Sequence, residues 1–216
     1  MLQIHSFCFS PVEENTYVIY DEVGNAAIVD CGCMTGNEQE RLRSFVESKG
    51  LSPRLLLSTH MHFDHVWGNG WVLRTWPEIE AYAPKIDLEQ LPSPSEQIRK
   101  FGLLLRCEEV DPSVYRPLVG GEVIQLGKHS LEVRHVPGHS PGHVVFYAAN
   151  AGFVIVGDTL FRRNIGRTDF WYGSYDQLIG SIREQLFTLP TDTIVYPGHE
   201  DPTVIGEEIA HNPYFK

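Results

Sequence analysis

Short apolar stretches rich in β-branched and aromatic residues recur along the chain, at 16–20, 26–30, 54–59, 123–126, 131–136, 144–148, 153–156 and 193–196. Each is bounded by Gly, Pro, Asn or Asp, so each predicts a strand. Helical periodicity falls between them. Thr35 and Glu38 have the spacing of a capping box, and Leu42, Phe45 and Val46 then share one face up to Gly50. Ser174 and Gln177 open a second such segment, with Leu178, Ile179, Ile182 and Leu186 on its apolar face and Pro190 as its stop. Strand groups separated by single helices predict sheets with helices packed outside them. Residues 77–117 differ in texture, with proline at 77, 84, 92, 94, 112 and 117. They predict one or two helices joined by irregular loops, overhanging one end of the sheets. No repeat, low-complexity tract or linker divides the chain, so residues 1–216 are expected to form one domain.

Composition narrows the class. With 42% hydrophobic and 21% charged residues, the chain can bury a core and does not resemble a disordered, collagen-like or coiled-coil sequence. Its apolar runs fall far short of the roughly 20 residues that a bilayer crossing needs, so no membrane span is expected. The first ten residues carry no Lys or Arg ahead of an apolar stretch, so no secretory signal is readable and a cytoplasmic setting is expected. The net charge of −11, from 17 basic and 28 acidic residues, comes without a basic cluster, which disfavours nucleic acid as a partner. Cys8, Cys31, Cys33 and Cys107 are too dispersed for a disulfide scaffold. Cys31 and Cys33, flanking Gly32, can hold a metal or be small core side chains, and the second is expected.

Ten histidines are unusual, and their placement more so. Residues 58–65 read Ser-Thr-His-Met-His-Phe-Asp-His after the strand-like Leu55-Leu56-Leu57. His60 and His62, two apart in an extended turn, can pinch one cation, while Asp64 and His65 open the next helix and reach another. Imidazole nitrogen with carboxylate oxygen suits Zn²⁺, with Fe or Mn also possible. Four titratable side chains in six residues serve no packing purpose. Further donors stand just past predicted strands: His139 in Val-Pro-Gly-His-Ser-Pro-Gly-His, Asp158 in Val-Gly-Asp-Thr-Leu-Phe, and His199 in Tyr-Pro-Gly-His-Glu. Loops held by a rigid sheet are where function usually sits.

Taken in order, Asp30 in Ile-Val-Asp-Cys-Gly, the 60–65 array, His139, Asp158 and His199 resemble the metallo-β-lactamase superfamily over nearly the whole chain. The resemblance implies an αβ/βα four-layer sandwich of two mixed sheets with helices outside and the metals at one edge. It implies one metal on His60, His62 and His139, a second on Asp64, His65 and His199, and Asp158 bridging both. Asp64, Asp158 and Asp30 are then the candidate catalytic carboxylates, with Asp30 orienting a ligand histidine or the array's backbone. The run from Gly157 to Phe161, the run from Ile165 to Asp169, and Pro197-Gly198-His199 are similar to the glyoxalase II (hydroxyacylglutathione hydrolase) branch. Two-domain members of that branch continue with a helical domain that contacts glutathione. Only 17 residues follow His199 here, so that domain is expected to be lacking.

The expected activity is hydrolysis of a small-molecule thioester of the S-(2-hydroxyacyl)glutathione type by two Zn²⁺ ions. The alternatives are a persulfide dioxygenase with one iron on two histidines and an aspartate, and a lactonase or lactamase on the same scaffold. Arg167 and Phe161 are the candidate substrate contacts, with Arg162, Arg163 and Lys128 as further cations for an anionic substrate. His143 can support the site from its place near His139, while His5, His129, His135 and His211 are expected in ordinary hydrogen bonds. The sequence leaves the oligomeric state open.

Overall fold

A computed structural model describes residues 1–216. Strands β1 (Gln3–Phe9), β2 (Glu14–Tyr20), β3 (Asn25–Val29), β4 (Ser52–Leu57), β5 (Glu80–Pro84) and β6 (Arg116–Leu118) form one sheet in sequential order. The β1–β2 and β2–β3 pairs are antiparallel and the remaining three parallel. A second sheet holds β7 (Val123–Leu126), β8 (His129–His135), β9 (Val144–Ala148), β10 (Phe153–Gly157), β13 (Ile194–Pro197) and β14 (Thr203–Val204) in the order β14-β13-β10-β9-β8-β7. A small ribbon of β11 (Leu160–Phe161) and β12 (Asn164–Ile165) lies between β10 and β13 in sequence.

The sheets are apolar on both faces, and alternation along each strand assigns the layers. Tyr17, Ile19, Ala27, Val29, Leu55 and Leu57 point from the first sheet towards Val133, Phe146 and Ile155 of the second. Val18, Ala26, Ile28 and Leu56 point the other way, onto Leu42 and Val46 of α1 (Gly36–Ser48) and Val72 of α3 (Asn69–Thr75). On the far side, Val145, Val154 and Val156 meet Leu178 of α6 (Tyr175–Ser181) and Ile205 of α7 (Ile205–His211). The result is a helix–sheet–sheet–helix sandwich. Burying each of these large side chains contributes about 1.5–3 kcal/mol, which explains why the inner strands read as unbroken apolar runs.

The local signals for α1 operate as the sequence suggests. The Thr35 hydroxyl accepts the Glu38 N–H, and the Glu38 carboxylate accepts the Thr35 N–H at 2.8 Å. Ser174 likewise caps α6, which continues through a wider-wound turn at Ile182–Leu186. The proline-rich segment supplies two short helices, α4 (Lys85–Gln90) and α5 (Pro94–Lys100). It also supplies β5 and β6, which proline-rich texture concealed. Those prolines are compatible with strands because Pro84 ends β5 and Pro117 lies in the sheet's edge strand β6. β1, α3 and α7 were likewise not legible in the pattern. Cys31 and Cys33 are buried in the core as free thiols, as expected of small core residues.

The topology gathers the candidate donors. β3 pairs parallel with β4 and β10 with β13, and β8 runs in the same direction as β10 across their shared antiparallel neighbour β9, so all five chain exits point to one edge of the sandwich. From those exits emerge Asp30, the array starting at His60, His139, Asp158 and His199. No helix is long and apolar enough to cross a membrane.

Candidate metal centre

The first donor group comes from two loops. His60 and His62 follow β4, with the one-turn helix α2 (Phe63–Val66) continuing the array, and His139 joins them from the loop after β8. The His62 Nδ1 faces the His139 Nε2 at 2.9 Å. The second group is Asp64, His65 and His199. His199 Nε2 lies 3.4 Å from Asp64 Oδ2, and His65 Nε2 lies 3.8 Å from the same oxygen. Asp158 stands between the groups, with Oδ1 3.4 Å from His65 Nε2 and Oδ2 3.6 Å from both His139 Nε2 and His199 Nε2.

Donors held about 2.0–2.1 Å from a tetrahedral cation stand roughly 3.3–3.4 Å apart, so most of these spacings fit shared ligation rather than hydrogen bonding. His60 Nε2, His65 Nε2 and Asp158 Oδ1 are buried with no hydrogen-bond partner, which a native interior tolerates only where another group satisfies them. The donor set therefore fits a pair of cations.

Each imidazole has its other nitrogen committed. His60 Nδ1 meets the Thr59 hydroxyl at 3.0 Å, and that hydroxyl donates to Asp30 Oδ2 at 2.6 Å. His65 Nδ1 reaches the same Asp30 oxygen at 3.2 Å. His139 Nδ1 donates to the Arg167 carbonyl at 2.8 Å, and His199 Nδ1 to the carbonyls of Val12 and Glu13 at 3.1 and 3.2 Å. His62 is reversed, meeting the Tyr172 hydroxyl at 2.7 Å through Nε2. This network fixes the tautomers that leave four Nε2 atoms and one Nδ1 facing inward.

Burial holds His60 and His62 well below the ordinary histidine range, and so neutral. Burial would raise the carboxyl of Asp158, but facing His65 and His199 outweigh it and hold it well below the usual carboxylate range. His65 and His199 shift the other way: burial lowers them, but the facing Asp158 and Asp64 outweigh it and raise both, so ligation at these two imidazoles displaces their protons.

Asp30 sits behind the donors rather than among them. Its backbone is left-handed, with φ of 50°, an arrangement that aspartate adopts more readily than most residues. Oδ1 accepts the Thr59 N–H at 2.7 Å, and Oδ2 serves Thr59 and His65. These contacts are those of a residue that orients His65 and the backbone of the array, the part the resemblance implies for it. His143 also supports the site, accepting the Asp158 N–H through Nε2 at 3.1 Å and stacking on His60 at 4.8 Å. Gly198 leaves the room Asp158 occupies, since a Cβ there would collide with Oδ1 of that carboxylate.

Sequence reasoning missed Tyr172, Asp87 and Gln97. Asp87 of α4 accepts from Met61 N, Ser140 Oγ and Gly142 N, and Gln97 of α5 bonds Met61 O and Phe63 N. The proline-rich segment thereby pins the backbone between the array's ligands. The aromatic run from Phe170 to Tyr172 was the one available signal, for Tyr172.

A cavity of about 560 Å³ opens over Asp64, Asp158 and His199. Phe161 and Arg167 line it, beside Phe63, Phe101, Leu103 and Phe170. The other cations stand elsewhere. Arg163 is bound to Glu207 and Glu208, Arg162 is exposed outside the cavity walls, and Lys128 pairs with Glu22 at the turn between β7 and β8, the end of β8 remote from the site. A substrate-binding role for Lys128 is thereby withdrawn.

Residues 10–199 match the model of the metallo-β-lactamase superfamily. The chain belongs to this superfamily. Among curated relatives of this metallo-β-lactamase-fold chain, hydroxyacylglutathione hydrolase GloC of Haemophilus influenzae is 37% identical over 208 residues, covering 94% of this chain and 92% of that one. Among solved structures, BLEG-1 B3 metallo-β-lactamase superposes with a TM-score of 0.87 at 31% identity, covering 99% of this chain and all of that one. TTHA1623, solved in a di-iron-bound form, gives 0.84 at 32% identity, covering 97% and 99%. Histidine and aspartate donor groups in this fold imply a dinuclear metal site in an enzyme of the metallo-hydrolase superfamily.

Proposed function

We propose that the protein is a dinuclear metal-dependent thioester hydrolase acting on substrates of the S-(2-hydroxyacyl)glutathione type, with residues 1–216 as one catalytic unit. One cation is assigned to His60, His62 and His139, the other to Asp64, His65 and His199, and Asp158 to both. The observation that carries this reading is the carboxylate of Asp158, which stands within 3.6 Å of inward nitrogens from both donor groups. The likeness to GloC supports the thioester, and the ligand set supports zinc, with iron the competing metal on the likeness to the di-iron protein.

When bound, a cation pair supplies Lewis acidity, lowering the pKa of a water and polarising the scissile carbonyl. The chain's own residues prepare that chemistry. Asp30, Thr59, Arg167 and the Val12 and Glu13 carbonyls hold the imidazoles in fixed orientation, so little reorganisation accompanies reaction. Asp64 and His199 face the cavity with partly exposed side chains, while His60 and His65 lie fully buried beneath. Substrate therefore approaches from the Asp64 and Asp158 side. Apart from the candidate ligands, Glu200 is the one carboxylic acid lining the cavity, and a thiolate leaving group can depart without a dedicated general acid.

The test pairs metal quantification with turnover of S-lactoylglutathione, a lactone, a β-lactam and glutathione persulfide, the last followed by oxygen uptake. Thioester cleavage exceeding the other activities is expected. Oxygen uptake as the leading activity, with one iron per chain, overturns the reading.

A further inference from the structure

The cavity walls constrain the substrate more tightly than the donors do. Phe63 meets Phe101 with ring centroids 5.8 Å apart, Phe101 meets Phe170 edge-on at 6.2 Å, and Phe170 stacks on Tyr172 at 5.3 Å. Phe170 also lies 5.0 Å from His62 and 5.8 Å from His139. A continuous aromatic wall therefore runs from the candidate ligands outward. It extends into solvent at Phe101, 47% exposed, and through Tyr172 to Trp171, 74% exposed. Apolar surface contiguous with a reactive centre marks a binding surface rather than ordinary scatter.

The charges around the cavity run the other way. Arg167 is the cavity's one arginine or lysine. Its guanidinium is held bidentately by Asp169 at 2.7 and 2.8 Å and lies over the Phe170 ring at 4.5 Å. Glu200 adds a negative charge to the rim. Within the cavity, the carboxylates of a glutathione carrier would have to displace Asp169 to gain a side-chain cation, and they face a chain of net charge −11.

Resting on the thioester-hydrolase reading, we propose that this wall binds an apolar substituent of the thioester, aliphatic or aromatic, and that the charged arms of a glutathione carrier stay in solvent. Each methylene transferred to such a wall contributes about fourfold in affinity, equivalent to ~0.8 kcal/mol. Substrates of this class differ in apolar length, not in charge.

The experiment uses the metal-loaded protein and two series: acyl groups from acetyl to hexanoyl on a fixed neutral thiol, and thiols of rising alkyl length with a fixed acetyl group. Uncleavable thioether counterparts are titrated calorimetrically, giving binding independent of turnover. A rise in kcat/KM and in thioether affinity of at least tenfold across one series is expected, and the series that shows it identifies which side of the thioester the wall holds. Phe101→Ala, at an exposed position, should flatten that slope while melting at the wild-type temperature. A change below tenfold in both series, or a hundredfold preference for a glutathione thioester over a neutral thioester of equal acyl length, overturns the proposal. If no thioester is cleaved but thioether affinity still climbs, the hydrolase reading fails and the apolar site stands.

Discussion

Oδ1 of Asp87 accepts the Gly142 N–H at 2.6 Å, and this bond joins the first sheet's proline-rich extension to the loop that carries His139. Oδ2 completes the clasp by accepting from Ser140 Oγ at 2.7 Å and Met61 N at 3.2 Å. Burial pushes the Asp87 carboxyl up to about 6, against the lowering effect of those hydrogen bonds. Because the folded value lies above the ordinary 3.8, the native state holds the extra proton between the two. The associated stability is present below about pH 3.8 and is lost as pH rises through about 6, by roughly 3 kcal/mol in all. Asp87→Asn should remove that descent. Denaturant unfolding of both proteins from pH 4 to 7, with chelator present so that ligand titration is common to both, measures it. A stability difference between them that does not change with pH counts against the assignment.

Six donors in two groups, with Asp158 between them, predict two transition-metal ions per chain by elemental analysis. Asp158→Asn removes the charge that offsets two dications, so both metal content and kcat should fall, kcat by orders of magnitude. Protein that never binds more than one ion under saturating metal, or an Asp158→Asn variant of near-normal activity, contradicts the bridging role.

Thr59 links Asp30 to His60 through a single buried hydroxyl. Thr59→Ala leaves the His60 Nδ1–H without its acceptor where no water enters, at a cost of about 1–3 kcal/mol. Loss of such a supporting contact should weaken metal affinity about 10–100-fold. Competition with a coloured chelator reads this directly, and Thr59→Ser, which keeps the hydroxyl, should restore most of the affinity. Wild-type affinity in the alanine variant means the hydroxyl does not orient His60.

Much of this architecture was legible because function and folding leave different marks. Strands such as β9 and β10, buried on both faces, read as unbroken apolar runs, and the donors stood out because clustered His and Asp side chains do not fit packing. What stayed hidden was non-local or marginal. β1 lies at the sheet's edge, with His5, Ser6 and Cys8 exposed, so its pattern is weak. Asp87 and Gln97 are single buried polar residues on short, otherwise mostly polar helices, and their backbone partners at Met61 lie 26 and 36 positions away. No periodicity announces such a contact. The cations illustrate the converse: sequence proximity to Asp158 drew attention to Arg163, but Glu207 and Glu208 from α7 claim it.

Tyr172 supports His62 from a position that Thr59 does not share, and the contrast yields a graded prediction. Its hydroxyl meets His62 Nε2 at 2.7 Å, but the residue is half-buried beside the cavity. In Tyr172→Phe a water can take over the hydrogen bond with little loss of enthalpy. The penalty should therefore fall near the low end for a supporting contact, about tenfold or less in metal affinity at the site assigned to His60, His62 and His139. The ring remains in the aromatic wall, so the dependence on apolar substrate length should be unchanged. Chelator competition on Tyr172→Phe and Thr59→Ala side by side tests the ordering. Equal losses in the two variants would mean that solvent does not replace the phenol, and that Tyr172 orients His62 as stringently as the buried Thr59 orients His60.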